Sequence, residues 1–108
     1  NRLFRWLEGR TLERLGRHAQ AAAVWGRLLA EYSVLRGDRS YPVLVARIKL
    51  ARALVNDDHP EEARRQVELA RQAWAQVFPE HVRRKLDDRE AELEKLEDQL
   101  AGRSGGSR

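Results

Sequence analysis

The sequence predicts an all-α fold of antiparallel helical hairpins, about five helices in all. Three observations predict it. Apolar residues recur at helical spacing along nearly the whole chain, with neither strand-like alternation nor an Asn-Gly or Asp-Gly hairpin signal. Glycine, aspartate and proline interrupt that spacing and let it restart within a few residues. The chain also resembles itself when it is shifted by 42 residues.

The elements follow in order. Residues 2–15 carry Leu3, Phe4, Leu7, Leu12 and Leu15, and Gly16 ends the run. Residues 18–36 carry Ala21, Val24, Trp25, Leu28, Leu29, Tyr32 and Leu35, closed by Gly37. Residues 42–55 carry Val43, Leu44, Ala46, Ile48, Leu50, Ala51, Leu54 and Val55. Residues 60–77 carry Ala63, Val67, Ala70, Trp74 and Val77. The last run, 80–101, carries Val82, Leu86, Leu93, Leu96 and Leu100, a narrow stripe expected of a capping helix covered on one side. Residues 102–108, GRSGGSR, hold no apolar side chain and read as a disordered tail or linker.

The breaks have local causes. Asp58 can cap the fourth helix, with Pro60 in its first turn, where a missing N–H costs nothing. Glu61 stands three residues after Asp58, as in a capping box, and with Glu62 favours the positive helix end. Pro42 and Pro79 are expected to open the third and fifth helices, with Ser40 near the first of these.

Composition narrows the classes. At 108 residues the chain is one domain at most, and it has no cysteine for a disulfide or thiolate metal site. No apolar stretch approaches the roughly 20 residues of a membrane span, and no signal segment opens the chain, so a cytoplasmic protein is expected. The first residue is Asn1, not Met, which suggests a piece of a longer protein. Charge is uneven: residues 1–56 carry net +7 and residues 57–108 net −3. A basic first half can attract an acidic peptide or a phosphate backbone.

Under the 42-residue shift Gly9 falls on Ala51, Leu12 on Leu54, Gly16 on Asp58 and Ala21 on Ala63. Trp25 then falls on Val67, Leu28 on Ala70, Tyr32 on Trp74 and Leu35 on Val77. This order of a small residue, an apolar residue three later, a turn, an alanine and then bulky positions resembles the tetratricopeptide repeat. The 42-residue spacing resembles the kinesin-light-chain variety found in bacterial regulatory proteins, and GDRSYP at 37–42 resembles the turn joining such repeats. The resemblance covers residues 3–82. It departs at Glu8, where the family has a large apolar residue, and at Asp58, where it has glycine. It implies one repeat domain over 1–101: repeat 1 about 2–40, repeat 2 about 42–79, and the capping helix about 80–101.

Such repeats act as protein–protein interaction or oligomerisation modules whose inner helices line a groove. Carried over, the groove positions are Leu3, Trp6, Arg10, Glu13 and Arg14, then Val45, Ile48, Arg52, Val55 and Asn56. Trp6, Arg10, Arg14, Ile48, Arg52 and Asn56 are the partner-binding candidates. Arg10 and Arg14 are four apart and share a helix face, and Arg52 is the 42-residue equivalent of Arg10. Such a set can hold an acidic side chain or terminal carboxylate through charge-assisted bonds. Two and a half repeats are few, and Leu3, Phe4, Trp6 and Leu7 span most of a turn. A homodimer, or packing against an upstream domain, is therefore expected.

An enzyme is not expected. His18, His59 and His81 are scattered with no HExxH spacing, and the Asp57-Asp58, Glu61-Glu62 and Asp87-Asp88 pairs lie at helix starts or on exposed faces. No glycine motif is followed by Lys-Ser or Lys-Thr, so no phosphate loop is present. Neither cofactor nor metal is implied. The alternative from another class is a nucleic-acid-binding helical domain using the basic first half. Against it, Trp25, Tyr32 and Trp74 fall on predicted buried stripes, where they cannot stack on bases.

Overall fold

The structure, a computed structural model, describes residues 2–106 and the side chains of residues 2–102. It contains α1 (Arg2–Arg14), α2 (His18–Arg36), α3 (Tyr41–Asn56), α4 (Pro60–Val77), α5 (Glu80–Arg84) and α6 (Asp87–Gly106). Among the described residues there is no strand, and no helix is long and apolar enough to cross a membrane. Each of the first three helices packs on the next. The sixth covers both α3 and α4, and α5 touches only its neighbourhood. The all-α expectation holds, with six helices in place of five.

The two hairpin turns are built alike. After α1, Gly16 N–H donates to Glu13 O (3.0 Å) and Arg17 N–H to Leu12 O (2.9 Å). After α3, Asp58 N–H donates to Val55 O (3.1 Å) and His59 N–H to Leu54 O (2.8 Å). These paired bonds make a Schellman end, which needs a left-handed residue at its centre. Gly16 (φ 75°) and Asp58 (φ 61°) supply it, and they are 42 residues apart. The capping role expected of Asp58 is thereby corrected. His59 occupies the N-cap of α4, no side-chain cap bond forms there, and Glu61 is too early for a capping box. A left-handed backbone spends Asp58 on ending α3 and leaves Pro60 to open α4.

Prolines behave as expected at Pro42 and Pro60, each in a first turn. Pro79 stands one residue outside α5, at its N-cap. The single capping helix expected over 80–101 is two helices. Lys85 and Leu86 turn on short bonds to Val82 O and Arg83 O (both 3.0 Å), and Asp87, Asp88 and Glu90 open α6. Acidic residues favour a helix's positive end, so this cluster starts a new helix better than it continues an old one. Helix α5 buries no side chain, but its Arg83 Nη1 donates to Ala75 O (3.0 Å) and Trp74 O (3.4 Å), satisfying the end of α4. Residues 102–106, read above as tail, continue α6. Extending an existing helix fixes one residue per bond gained, and no proline stops it. Residues 107 and 108 lie outside the described residues.

Two apolar clusters hold the stack. Ala21, Trp25, Leu28 and Ala53 form the first, with Trp6, Leu12 and Tyr32 packed against it. The second is larger and joins α3, α4 and α6 through residues such as Ile48, Leu54, Val67, Trp74, Leu93 and Leu96. Ala22 and Leu50 pack against both and join them. Gly9 lets α1 and α2 close on one another: a methyl group there would sit 2.7–2.9 Å from the Trp25 ring.

Candidate partner-binding groove

Helix α3 is apolar enough to be buried along most of its length, yet Arg47, Lys49 and Arg52 interrupt it. Each of the three is held by a neighbouring helix. Arg47 Nη1 donates to Gln66 Oε1 on α4 (2.8 Å), and burial pushes its guanidinium pKa down, with Asp38 opposing that. Lys49 Nζ donates to Glu92 Oε2 on α6 (3.2 Å). Arg52 grips Glu13 on α1 with two bonds of 2.9 Å, and its other nitrogen lies 3.9 Å from Glu92. A charged strip thus links α1, α3 and α6 across the face where the first and sixth helices flank α3.

Two hollows lie on this strip and share Arg52 and Asn56. The larger, about 330 Å³, is bounded by α1 and α3 and includes Arg10, Glu13, Arg14, His18 and Lys49. The smaller, about 180 Å³, is bounded by α3 and α6 and includes Ile48, Glu92, Lys95, Leu96 and Gln99. Together they form one groove with five basic side chains and two carboxylates. Both carboxylates are engaged by Lys49 and Arg52. Arg10, Arg14 and Lys95 form no ion pair among the described residues.

Four of the six candidates meet in the groove: Arg10, Arg14, Arg52 and Asn56 line one hollow, which Arg10 thus shares with its 42-residue equivalent. Ile48 is only 1% exposed and serves as floor. Trp6 lies elsewhere. Its ring meets Trp25 edge-on at 5.0 Å, and Nε1–H donates to the Tyr32 hydroxyl (3.1 Å), so it joins α1 to α2. Of the further positions carried over, Val45 and Val55 are buried. The groove also takes in His18, Lys49, Glu92 and Lys95, none of them among the candidates. Lys49 carried a usable signal as a lone lysine in an apolar helix. Glu92 and Lys95 carried none, since the repeat register breaks down in α6.

A third hollow, about 430 Å³, opens between α4 and α6 over Val67, Leu100 and Ala101. Arg71 lies in it, bonded to Glu97 (2.6 and 3.2 Å) and to Glu90. The Glu97 hydrogen bond, aided by that to Glu90, holds the guanidinium pKa above its ordinary value against the effect of burial. Its charge is already met, so this hollow is chiefly apolar. Among the described residues no group of three or more His, Cys, Asp or Glu could hold a metal ion.

No protein-family model, curated protein or solved structure matches the chain.

Proposed function

We propose that this chain is a protein-interaction module of the tetratricopeptide-repeat kind, holding an acidic segment of a partner protein along the groove of α1, α3 and α6. The observation that carries the reading is a set of cations with no ion-pair partner among the described residues. Arg10 and Arg14 stand on one wall and Lys95 on the other, either side of the Arg52–Glu13 bridge. An acidic peptide would supply the missing carboxylates through charge-assisted bonds and would be steered in by the basic first half. The matching turns at Gly16 and Asp58 support the repeat assignment, because one backbone device recurs at the sequence period. The role is that of a scaffold working in the cytoplasm, without catalytic residue, cofactor or metal.

Fluorescence anisotropy with a labelled Asp/Glu-rich peptide tests this. Binding is expected to weaken at least about tenfold in Arg10→Ala/Arg14→Ala, the loss of roughly 1.4 kcal/mol. Those two residues are exposed and carry no bridge, so the fold survives their loss, whereas Arg52→Ala would strand Glu13. Equal affinity for the variant, or no binding to the wild type, overturns the reading. Tighter, steeply salt-dependent binding of an oligonucleotide would replace it with the nucleic-acid alternative.

A further inference from the structure

The two ends of the helix stack are unlike each other. On the outer side of α1, Leu3, Phe4 and Leu7 are 66%, 70% and 50% exposed. Their spacing puts them on one face, and Phe4 and Leu7 are a turn apart. Helix α1 carries four arginines against two glutamates. At the other end, the α4–α6 hollow is floored by Val67, Leu100 and Ala101 and edged by Arg64, Glu68, Arg71 and Glu97. Residues 87–102 of α6 carry seven carboxylates against two basic side chains. One end is therefore an apolar ridge on a basic helix, and the other an apolar hollow with a charge-balanced rim beside an acidic helix.

Covering an apolar ridge of this size is favourable, because it removes three large side chains from water. A second copy can cover it in two ways. Ridge against ridge would bring the arginines of α1 face to face, and like charges across an interface repel. Ridge into hollow sets the basic α1 beside the acidic α6 and fills apolar space with apolar side chains. Of the hollow's two cations, Arg71 is neutralised by Glu90 and Glu97, and Arg64 donates through Nη2 to Leu100 O (3.4 Å), so both are held by the wall when an apolar occupant enters.

We propose that copies of this chain associate head to tail, with Leu3, Phe4 and Leu7 of one copy seated in the α4–α6 hollow of the next. Such a contact uses two different patches, so every added copy leaves one ridge and one hollow open. Association then grows with concentration and does not stop at a dimer. The contact is separate from the basic groove and stands or falls without it.

Sedimentation velocity on the whole chain tests this with two blocked variants. Phe4→Asp removes the ridge. Glu68→Arg/Ala101→Arg closes the hollow at two exposed positions. The wild type is expected to sediment faster as concentration rises, without a plateau at two copies. Each variant alone is expected to remain a single species of one chain. Their equimolar mixture is expected to form a complex of two chains, because one variant keeps its hollow and the other its ridge. A wild type that stays monomeric overturns the proposal, as does a mixture that fails to associate. Dimerisation of the hollow-blocked variant alone would show a symmetric ridge contact in its place. Far-UV circular dichroism checks that each variant folds, and Leu7→Asp and Gln72→Arg repeat the experiment at neighbouring positions if one does not.

Discussion

The hairpin α1/α2 and the hairpin α3/α4 follow one plan with different degrees of closure. In both, a left-handed residue ends the first helix, and an alanine (Ala21, Ala63) is fully buried at the start of the second. The bulky partners differ. The first hairpin pairs Gly9 with Trp25, while the second has Ala51 and Val67 at the equivalent places. One large residue is accommodated by losing a side chain opposite it, so volume is kept within the layer although identity is not. The second hairpin is covered by α6, and its Trp74 is buried. Among the described residues no helix lies outside the first, its Tyr32 is half-buried, and Val34 is 87% exposed. Similar local sequence thus yields a closed layer where a neighbour exists and an open one where it does not.

The largest effect that breaks this comparison is Trp74→Ala. Truncating a buried tryptophan costs about 3–5 kcal/mol, a large share of the stability of a domain this small. Thermal unfolding followed by circular dichroism is expected to lose its cooperativity, and an unchanged melting curve would place Trp74 outside the core. Gly9→Ala comes next, at about 1–3 kcal/mol, because the new methyl meets the rigidly packed Trp25 ring. In a Trp25→Val background the same substitution is expected to become neutral or stabilising, as alanine is the better helix former. A double-mutant cycle with no coupling energy would refute the volume exchange.

The turns sharpen the comparison on a smaller scale. A Cβ on Gly16 would meet nothing within 4 Å, so Gly16→Ala measures the left-handed backbone alone, about 1–2 kcal/mol. Asp58→Gly relieves that same strain in the second turn and is expected to raise stability by up to about 1 kcal/mol in denaturant titrations. Opposite signs at the two equivalent sites are the expected result. Smallest is Arg71→Met, which cuts the ties from α4 to Glu90 and Glu97. Those side chains are 30–40% exposed, so the loss is about 0.5–1 kcal/mol and shrinks in high salt. Hydrogen exchange should locate the loosening in α6, while α1 and α2 stay as protected as before.

Much of the fold was legible before the structure. The helices α2, α3 and α4 fall within a residue or two of the apolar runs, since their period and their Gly or Pro ends act locally. The double role of Asp58 was hidden, because aspartate serves an N-cap or a left-handed turn equally well. Lys85-Leu86 holds no glycine or proline, so the division between α5 and α6 had no strong marker. Within the groove, Arg10, Arg14 and Asn56 followed from register, whereas Trp6 did not. Its apolar ring and its N–H both found partners on α2.

The sequence by itself determined where this chain coils and where it turns, because hydrogen bonds four residues apart and the torsions of single residues need nothing distant. Tertiary structure decided which charges remain available. Arg52 is met by Glu13 across 39 residues and Arg71 by Glu97 across 26, while Arg10 and Arg14 meet no carboxylate among the described residues. It also decided which apolar faces are covered. Burial is a property of neighbours, and neighbours far apart in the chain are chosen only when the helices pack.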